Sequence, residues 1–399
     1  MRTTALFCAC FAMFVGCATS DASEDALPPG AEGTLPPESL VDAGQPTDAS
    51  APDREAERPL VCGDAGFCET KLPRSNVGEP LSLRSVWAVA ESDVWSVSAD
   101  GLVLHYDGMS WSVVYHGYHP LYAVWATATD AWAAGEHGLL LHSHEGGTWT
   151  PIATSHTETY RAIAGTSSED IWFGHDSGAD HFDGTTLTSH PYGVPNFLLT
   201  SMAARAGFGA YAVGYVKGAP PSNRAFPVPH VPYIFDLKPE GISNFNPALQ
   251  NSTSFVPLAT VVTDAPEEER RIFLAGYWDG GWHLDYSYAT FGNSIPVIQN
   301  TMVVVGLEFS GVQDNRYIED PSRPPPTPPL FPTWGKNWND IRIALGVGSY
   351  VYWDGAAFTL QSLDNMGNSF VPRTLFSVHE NATNRWLVGD GFALKGPAL

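Results

Sequence analysis

The sequence predicts an all-β protein: a seven-bladed β-propeller of four-stranded antiparallel blades, with an N-terminal strand closing the last blade. Three observations predict this. Glycine and proline are abundant (38 and 32 of 399 residues), aromatic residues reach 12% and charged residues only 16%, a composition that suits short strands and tight turns better than long solvent-facing helices. Next, RSVWAVAESDVWSVSADGLVLHYDGMSWSVV (84–114) recurs with almost no gaps as YAVWATATDAWAAGEHGLLLHSHEGGTWTPI (122–152) and YRAIAGTSSEDIWFGHDSGADHFDGTTLTSH (160–190). Trp95, Trp132 and Trp172 correspond, as do Asp93, Asp130 and Asp170, giving a period of 37 to 40 residues that matches a blade. Finally, the last unit supplies three strands, while FCETKLPR (67–74) precedes the first unit and has no unit of its own. Pairing the two would cover a bare edge and lock the ring.

Taken in order, residues 1–16 read as an export signal, with one arginine followed by an apolar run from Ala5 to Val15 that is too short for a permanent span. Residues Phe14-Val15-Gly16-Cys17 resemble a bacterial lipobox, which implies a diacylglycerol on the Cys17 thiol and an outer-membrane lipid as partner. Ala18, where lipoproteins retained at the inner membrane often carry aspartate, favours the outer membrane or cell surface. Residues 17–60 are rich in Ala, Pro, Ser and acid, with ten Asp/Glu against Arg54 and Arg58. So few bulky apolar residues cannot offset the entropy of ordering, and a disordered tether is expected. The whole chain carries a formal charge of −23 with no Lys/Arg cluster, which excludes nucleic acid as a partner. Cys62 and Cys68 are expected to form one disulfide where tether meets domain, since a metal site there would need two further ligands.

The domain, 61–399, contains weaker copies of the unit in GAYAVGY around Tyr211, RRIFLAG around Phe273, NDIRIALG near Arg342 and NRWLVGDG at Trp386, which brings the expected total to seven. In the first unit the strands are expected at Ser85–Ala90, Val94–Ser98, Leu102–Tyr106 and Ser110–Tyr115. Asp107-Gly108, Asp183-Gly184 and Asp354-Gly355 supply the positive φ of the hairpin between third and fourth strands. Two insertions interrupt the pattern: 216–232, between the second and third strands of the fourth blade, and about 308–338 in the sixth, whose prolines forbid a regular ladder.

Nine of the 13 tryptophans hold repeat-equivalent places and are packing residues between blades. Trp278, Trp282, Trp334 and Trp338 do not, and aromatic faces outside the register are candidates for ligand contact. Acids in turns between second and third strands, Asp100, Glu136, Asp176, Asp279 and Asp390, would all emerge on one face, as a ring for a cation or basic partner or simply as good turn formers. His105, His142 and His181 share one place on successive third strands, a blade-width apart, and read as structural; His142 and His144 share a face of one strand without a completing ligand. No metal site and no cofactor is assigned, and no nucleophile elbow, zincin helix, P-loop or EF-hand loop is present, so no catalytic residue is named.

The lipobox, the acidic tether and the D-[VAI]-W…H-[YF]-D-G repeats together resemble β-propeller lipoproteins of predatory and soil-dwelling Gram-negative bacteria. The resemblance is good over 84–190 and poor over 199–340. It implies a surface-located propeller and brings no catalytic residues. The expected function is a binding or scaffold propeller for a protein or polysaccharide ligand; the alternative is a carbohydrate-active enzyme, glycosidase or lyase, built on a carboxylate pair.

Overall fold

The computed structural model describes residues 62, 66–75, 77–216, 231–244, 255–264, 270–278, 281–292, 295–301, 333–337, 339–345, 349–354, 358–362 and 374–398, with backbone alone for many strand residues between 255 and 362. The chain divides into two units, Met1–Glu57 and Arg58–Leu399. The first, with Cys17 and most of the expected tether, lies outside the described residues.

Six sheets are each built from four consecutive antiparallel strands. Blade 1 comprises Leu83–Ala90, Asp93–Ser98, Leu102–Tyr106 and Trp111–His116; blade 2, Leu121–Ala126, Asp130–Gly135, Leu140–His144 and Thr150–Ile152; blade 3, Ala162–Ser167, Asp170–Gly174, Gly178–Phe182 and Leu187–Pro191. Blade 4 comprises Phe197–Arg205, Gly209–Val216, Val231–Lys238 and Gly241–Asn244; blade 5, Phe255–Asp264, Arg270–Trp278, Gly281–Gly292 and Ile295–Thr301; blade 6, Thr333–Asn337, Asp340–Leu345, Ser349–Trp353 and Phe358–Ser362. The first strand of each blade adjoins that of the next. The bulky aromatics of the second strands, Trp95, Trp132, Trp172 and Tyr211 among them, are buried and fill the wedges between sheets.

The expectation of seven blades is corrected to six blades of consecutive strands, and the closing sheet has the expected mixed origin. That sheet takes Leu375–Glu380, Asn384–Gly389 and Phe392–Pro397 from the C-terminal segment and only Cys68–Glu69 from the N-terminal side. Its inner strand adjoins both blade 1 and blade 6. The expected outer strand over 67–74 shrinks to two paired residues, Cys68 with Lys395 and Glu69 with Leu394. Past Glu69 the Thr70 N–H and hydroxyl both reach the Ala393 carbonyl (2.8 and 2.9 Å), and Pro73 has no N–H to carry the pairing on. A Cys62–Cys68 disulfide is present, and Phe67 is buried with Leu375, Val378, Leu387, Phe392 and Leu394.

The insertions are also refined. Val216 pairs with Val231, so the first does lie between second and third strands of blade 4, its residues 217–230 outside the described set. The second does not interrupt blade 6. Ile295–Thr301 completes blade 5 by pairing with the third strand, and Thr333–Asn337, inside the expected 308–338 insertion, is the first strand of blade 6. The intervening 302–332 falls outside the described residues.

Candidate functional site

The repeat motif resolves into a local scaffold. In blades 1 to 3 the aspartate opening the second strand accepts a hydrogen bond from the third-strand histidine: Asp93 to His105 (3.0 Å), Asp130 to His142 (2.9 Å) and Asp170 to His181 (2.9 Å). Each histidine ring lies on the tryptophan two residues past that aspartate, at 4.3, 4.0 and 4.3 Å between centroids. The hydrogen bond from His181 holds the Asp170 carboxyl below the usual carboxylate range. These groups pin the third strand to the second. Asp130 also lies 2.9 Å from His144, so a carboxylate does join the His142 and His144 pair. Two of the three expected Asp-Gly hairpins form, with Gly108 at φ 97° and Gly184 at φ 92°, while Gly355 of the third lies outside the described residues.

The opposite face, made by the 2–3 turns and the loops between blades, carries the unusual chemistry. First strands begin with a bulge at the same place in several blades: one extra residue, Arg84, Tyr122, Thr200 or Phe376, lies between the pairs Leu83/Ser85, Leu121/Ala123, Leu199/Ser201 and Leu375/Ser377. A bulge re-aims a side chain out of the ladder. The Arg84 guanidinium thereby lies over the Phe376 ring at 4.3 Å, with its Nε buried and without a hydrogen-bond partner. Tyr122 donates to Glu136 at 2.8 Å, and burial, then that bond, raises the phenol's pKa. Arg161, leading into blade 3, holds Asp176 through two nitrogens at 3.0 to 3.2 Å, and Asp176 also accepts the Leu199 N–H at 3.0 Å.

A second group lies beside that rim, in blade 3 and the loop entering it. His156 Nε2 is 3.1 Å from Asp180 Oδ2, and the Tyr160 hydroxyl donates to the same oxygen. His175 Nδ1 bonds Glu158 Oε2 at 2.5 Å, and Ser177 Oγ donates to that oxygen at 2.6 Å. Burial opposes the charge on Asp180, yet the polar groups around it, the His175 ring at 3.9 Å first and then the Tyr160 hydroxyl and His156, bring its pKa far below the ordinary value. Burial would lower the His175 pKa, but the carboxylates of Asp180 and Glu158 outweigh it and raise the value. Burial and the bond to Asp180 push the Tyr160 phenol up.

Of the expected ring of acids, two carboxylates are engaged within the protein, and Asp100 and Asp390 are exposed at their turns. Glu136 and Asp176 are engaged with Tyr122 and Arg161, and Asp390 sits where its N–H bonds the Thr374 carbonyl at 2.9 Å. Asp100 lies in the blade 1 turn, its N–H bonded to Ser98 Oγ at 3.2 Å, and Asp279 falls outside the described residues. Trp334 is half-buried between blade 6 and the closing sheet, 6.0 Å from His379 and 5.5 Å from Arg342. Trp278 and Trp282 are placed by backbone alone, on the second and third strands of blade 5; Trp338 lies outside the described residues. Sequence reasoning missed both the bulge residues and the His156, His175, Asp180 group. The signal for the latter was present: in alignment Asp180 falls where blades 1 and 2 have the buried Leu104 and Leu141.

No protein-family model and no curated protein matches the sequence. Solved structures do. One titled YCF48 bound to D1 peptide is 13% identical with a TM-score of 0.57, covering 85% of this chain and 98% of that one. This chain is a β-propeller. Virginiamycin B lyase from Staphylococcus aureus is 8% identical with a TM-score of 0.58, covering 84% of this chain and 99% of that one. The extracellular domain of a one-component system from B. thetaiotaomicron is 14% identical with a TM-score of 0.54, covering 83% of this chain and 39% of that one. At these identities the likeness carries the fold and no activity.

Proposed function

We propose that this protein is an exported binding propeller, anchored to the outer membrane through a lipid on Cys17, whose ligand is a polypeptide segment seated on the face of the 2–3 turns. The observation that carries the reading is the rim of Arg84, Tyr122 and Arg161, fixed in place by Phe376, Glu136 and Asp176. Donors held in position before a ligand arrives lose little entropy on binding, and arginine and tyrosine are the side chains that dominate peptide-binding surfaces. Backbone carbonyls or a carboxylate of the ligand are the complementary groups. The peptide-bound structural neighbour supports the choice of a peptide over a glycan. A glycosidase needs a free carboxylate pair, and Glu136 and Asp176 are both committed within the protein.

The test is to pan a displayed random-peptide library against the full-length protein. Enriched peptides are expected to bind at micromolar Kd and to weaken at least about tenfold with Arg84→Ala or Arg161→Ala, while His144→Ala, at the other end of its strand, leaves binding unchanged. Absence of enriched peptides, together with turnover of a polysaccharide panel by the same preparation, would replace this reading with the enzymatic one. Anchoring is tested separately: Cys17→Ser should abolish labelling by a palmitate analogue.

A further inference from the structure

We propose that His156, His175 and Asp180 form a binding site for a divalent transition metal of the zinc type. Their ligand atoms all lie within 4.8 Å of one another. Two imidazoles and a carboxylate are a donor set that zinc takes with a further position left open. Bonds of about 2.0 to 2.1 Å to a tetrahedral ion put donor atoms about 3.4 Å apart. Small rotations of the two rings would bring the set to that spacing.

Burial makes these donors unusual. His175 is 5% exposed and Asp180 0%, yet His175 Nε2 and Asp180 Oδ1 are both buried without a hydrogen-bond partner. They face each other at 3.9 Å, beyond hydrogen-bond reach. Leaving a buried carboxylate oxygen and an imidazole nitrogen unpaired is costly, and a cation between them would satisfy both. The repeat sharpens this: the positions equivalent to Asp180 in blades 1 and 2 are Leu104 and Leu141, both fully buried in the core. Blade 3 thus departs from an apolar template to install a carboxylate.

The surrounding groups have the arrangement that orients metal-binding histidines. Glu158 holds His175 Nδ1 at 2.5 Å, with Ser177 on the same carboxylate oxygen, which keeps the proton on Nδ1 and aims the Nε2 lone pair inward. Tyr160 fixes the Asp180 carboxylate through its hydroxyl. His156 accepts the Glu158 N–H at Nδ1 (3.2 Å) and so donates from Nε2 to Asp180 in the metal-free protein. Metal uptake moves the His156 proton to Nδ1 and releases that contact, which lies in the exposed loop entering blade 3. Unlike the other two donors, His156 keeps some solvent access, giving the ion a route in.

The experiment uses the full-length protein, stripped with a chelator, dialysed against ZnCl2 or CoCl2 and analysed for bound metal. One ion per chain is expected, with visible Co2+ d–d bands and no thiolate charge-transfer band, which separates this site from the cysteines. His175→Ala and Asp180→Asn should each weaken binding at least about 100-fold, and Glu158→Gln about 10- to 100-fold. His156→Ala, on the loop, serves if Asp180→Asn does not fold. His144→Ala should change nothing. Absence of stoichiometric metal in the folded wild type, binding undiminished by His175→Ala, or binding lost with His144→Ala would overturn the proposal.

Discussion

At the scale of single residues, what separates function from scaffold is whether a side chain repeats. The Asp, His and Trp of blades 1 to 3 bind one another identically and are scaffold, whereas Asp180 and His175 have no counterpart in the same places. His379 illustrates how context sets chemistry. Its Nδ1 accepts the Ala88 N–H at 3.0 Å and its ring lies 4.1 Å from Trp87. Desolvation there lowers its pKa to about 3. A histidine neutral in the native state takes up its proton only on unfolding between the ordinary 6.5 and about 3, so it draws stability down as pH falls through that window. NMR titration should show the His379 ring neutral at about pH 5, while exposed His144, whose pKa is raised chiefly by its bond to Asp130, is already protonated there. A His379 resonance shifting near pH 6.5 would refute this.

At the scale of elements, a glycine at or near the end of the second strand of several blades has a steric reason. A Cβ on Gly135 would lie 2.1 Å from the Pro120 carbonyl oxygen, and Gly214 and Gly389 meet the Leu198 and Thr374 carbonyls at the same distance. Gly135→Ala should therefore cost about 1 to 3 kcal/mol in urea unfolding by forcing the first strand away. Blade 6 shows why its copy of the repeat reads weakly. Arg342 stands where blades 1 to 3 have tryptophan, paired with Asp340 (2.6 Å) and Glu380 (3.3 Å), while Arg385 also holds Glu380 (2.8 Å). This buried ionic group joins blade 6 to the closing sheet, and Arg342→Met, which takes the guanidinium from buried Asp340 and leaves Glu380 to Arg385, should destabilise by about 3 kcal/mol. In the closing sheet the short Cys68–Glu69 strand relies on the disulfide beside it. Replacing both Cys62 and Cys68 by serine should lower stability by about 2 kcal/mol, the loop-entropy expectation for so short a ring. An unchanged denaturation midpoint would mean that Phe67 and Thr70 hold the strand alone.

At the scale of the whole molecule, the chain is acidic, and its rim sets the guanidiniums of Arg84 and Arg161 beside the carboxylates of Glu136 and Asp176, an arrangement that bears on what it binds. Neutralising Arg161 should flatten the salt dependence of peptide binding, because exposed charge contacts are screened at physiological ionic strength; an unchanged slope would place the ligand elsewhere. The all-β class, the repeat, the Asp-Gly turns, the paired cysteines and the packing tryptophans were legible in the sequence. Each is set by local spacing: a period of 37 to 40 residues, alternation along strands, or positive φ in a two-residue turn. The tertiary structure alone decided three things. It limited the blades of consecutive strands to six, because the N-terminal side gives the closing sheet only Cys68–Glu69 and Pro73 has no N–H to carry a ladder on. It turned two acids of the 2–3 turns into anchors, Glu136 for Tyr122, which a bulge in the first strand of blade 2 aims at it, and Asp176 for Arg161, which leads into blade 3. And it gathered His156, His175 and Asp180 from a loop, a turn and a strand, a convergence that depends on how blade 3 folds back on the loop entering it rather than on any spacing along the chain.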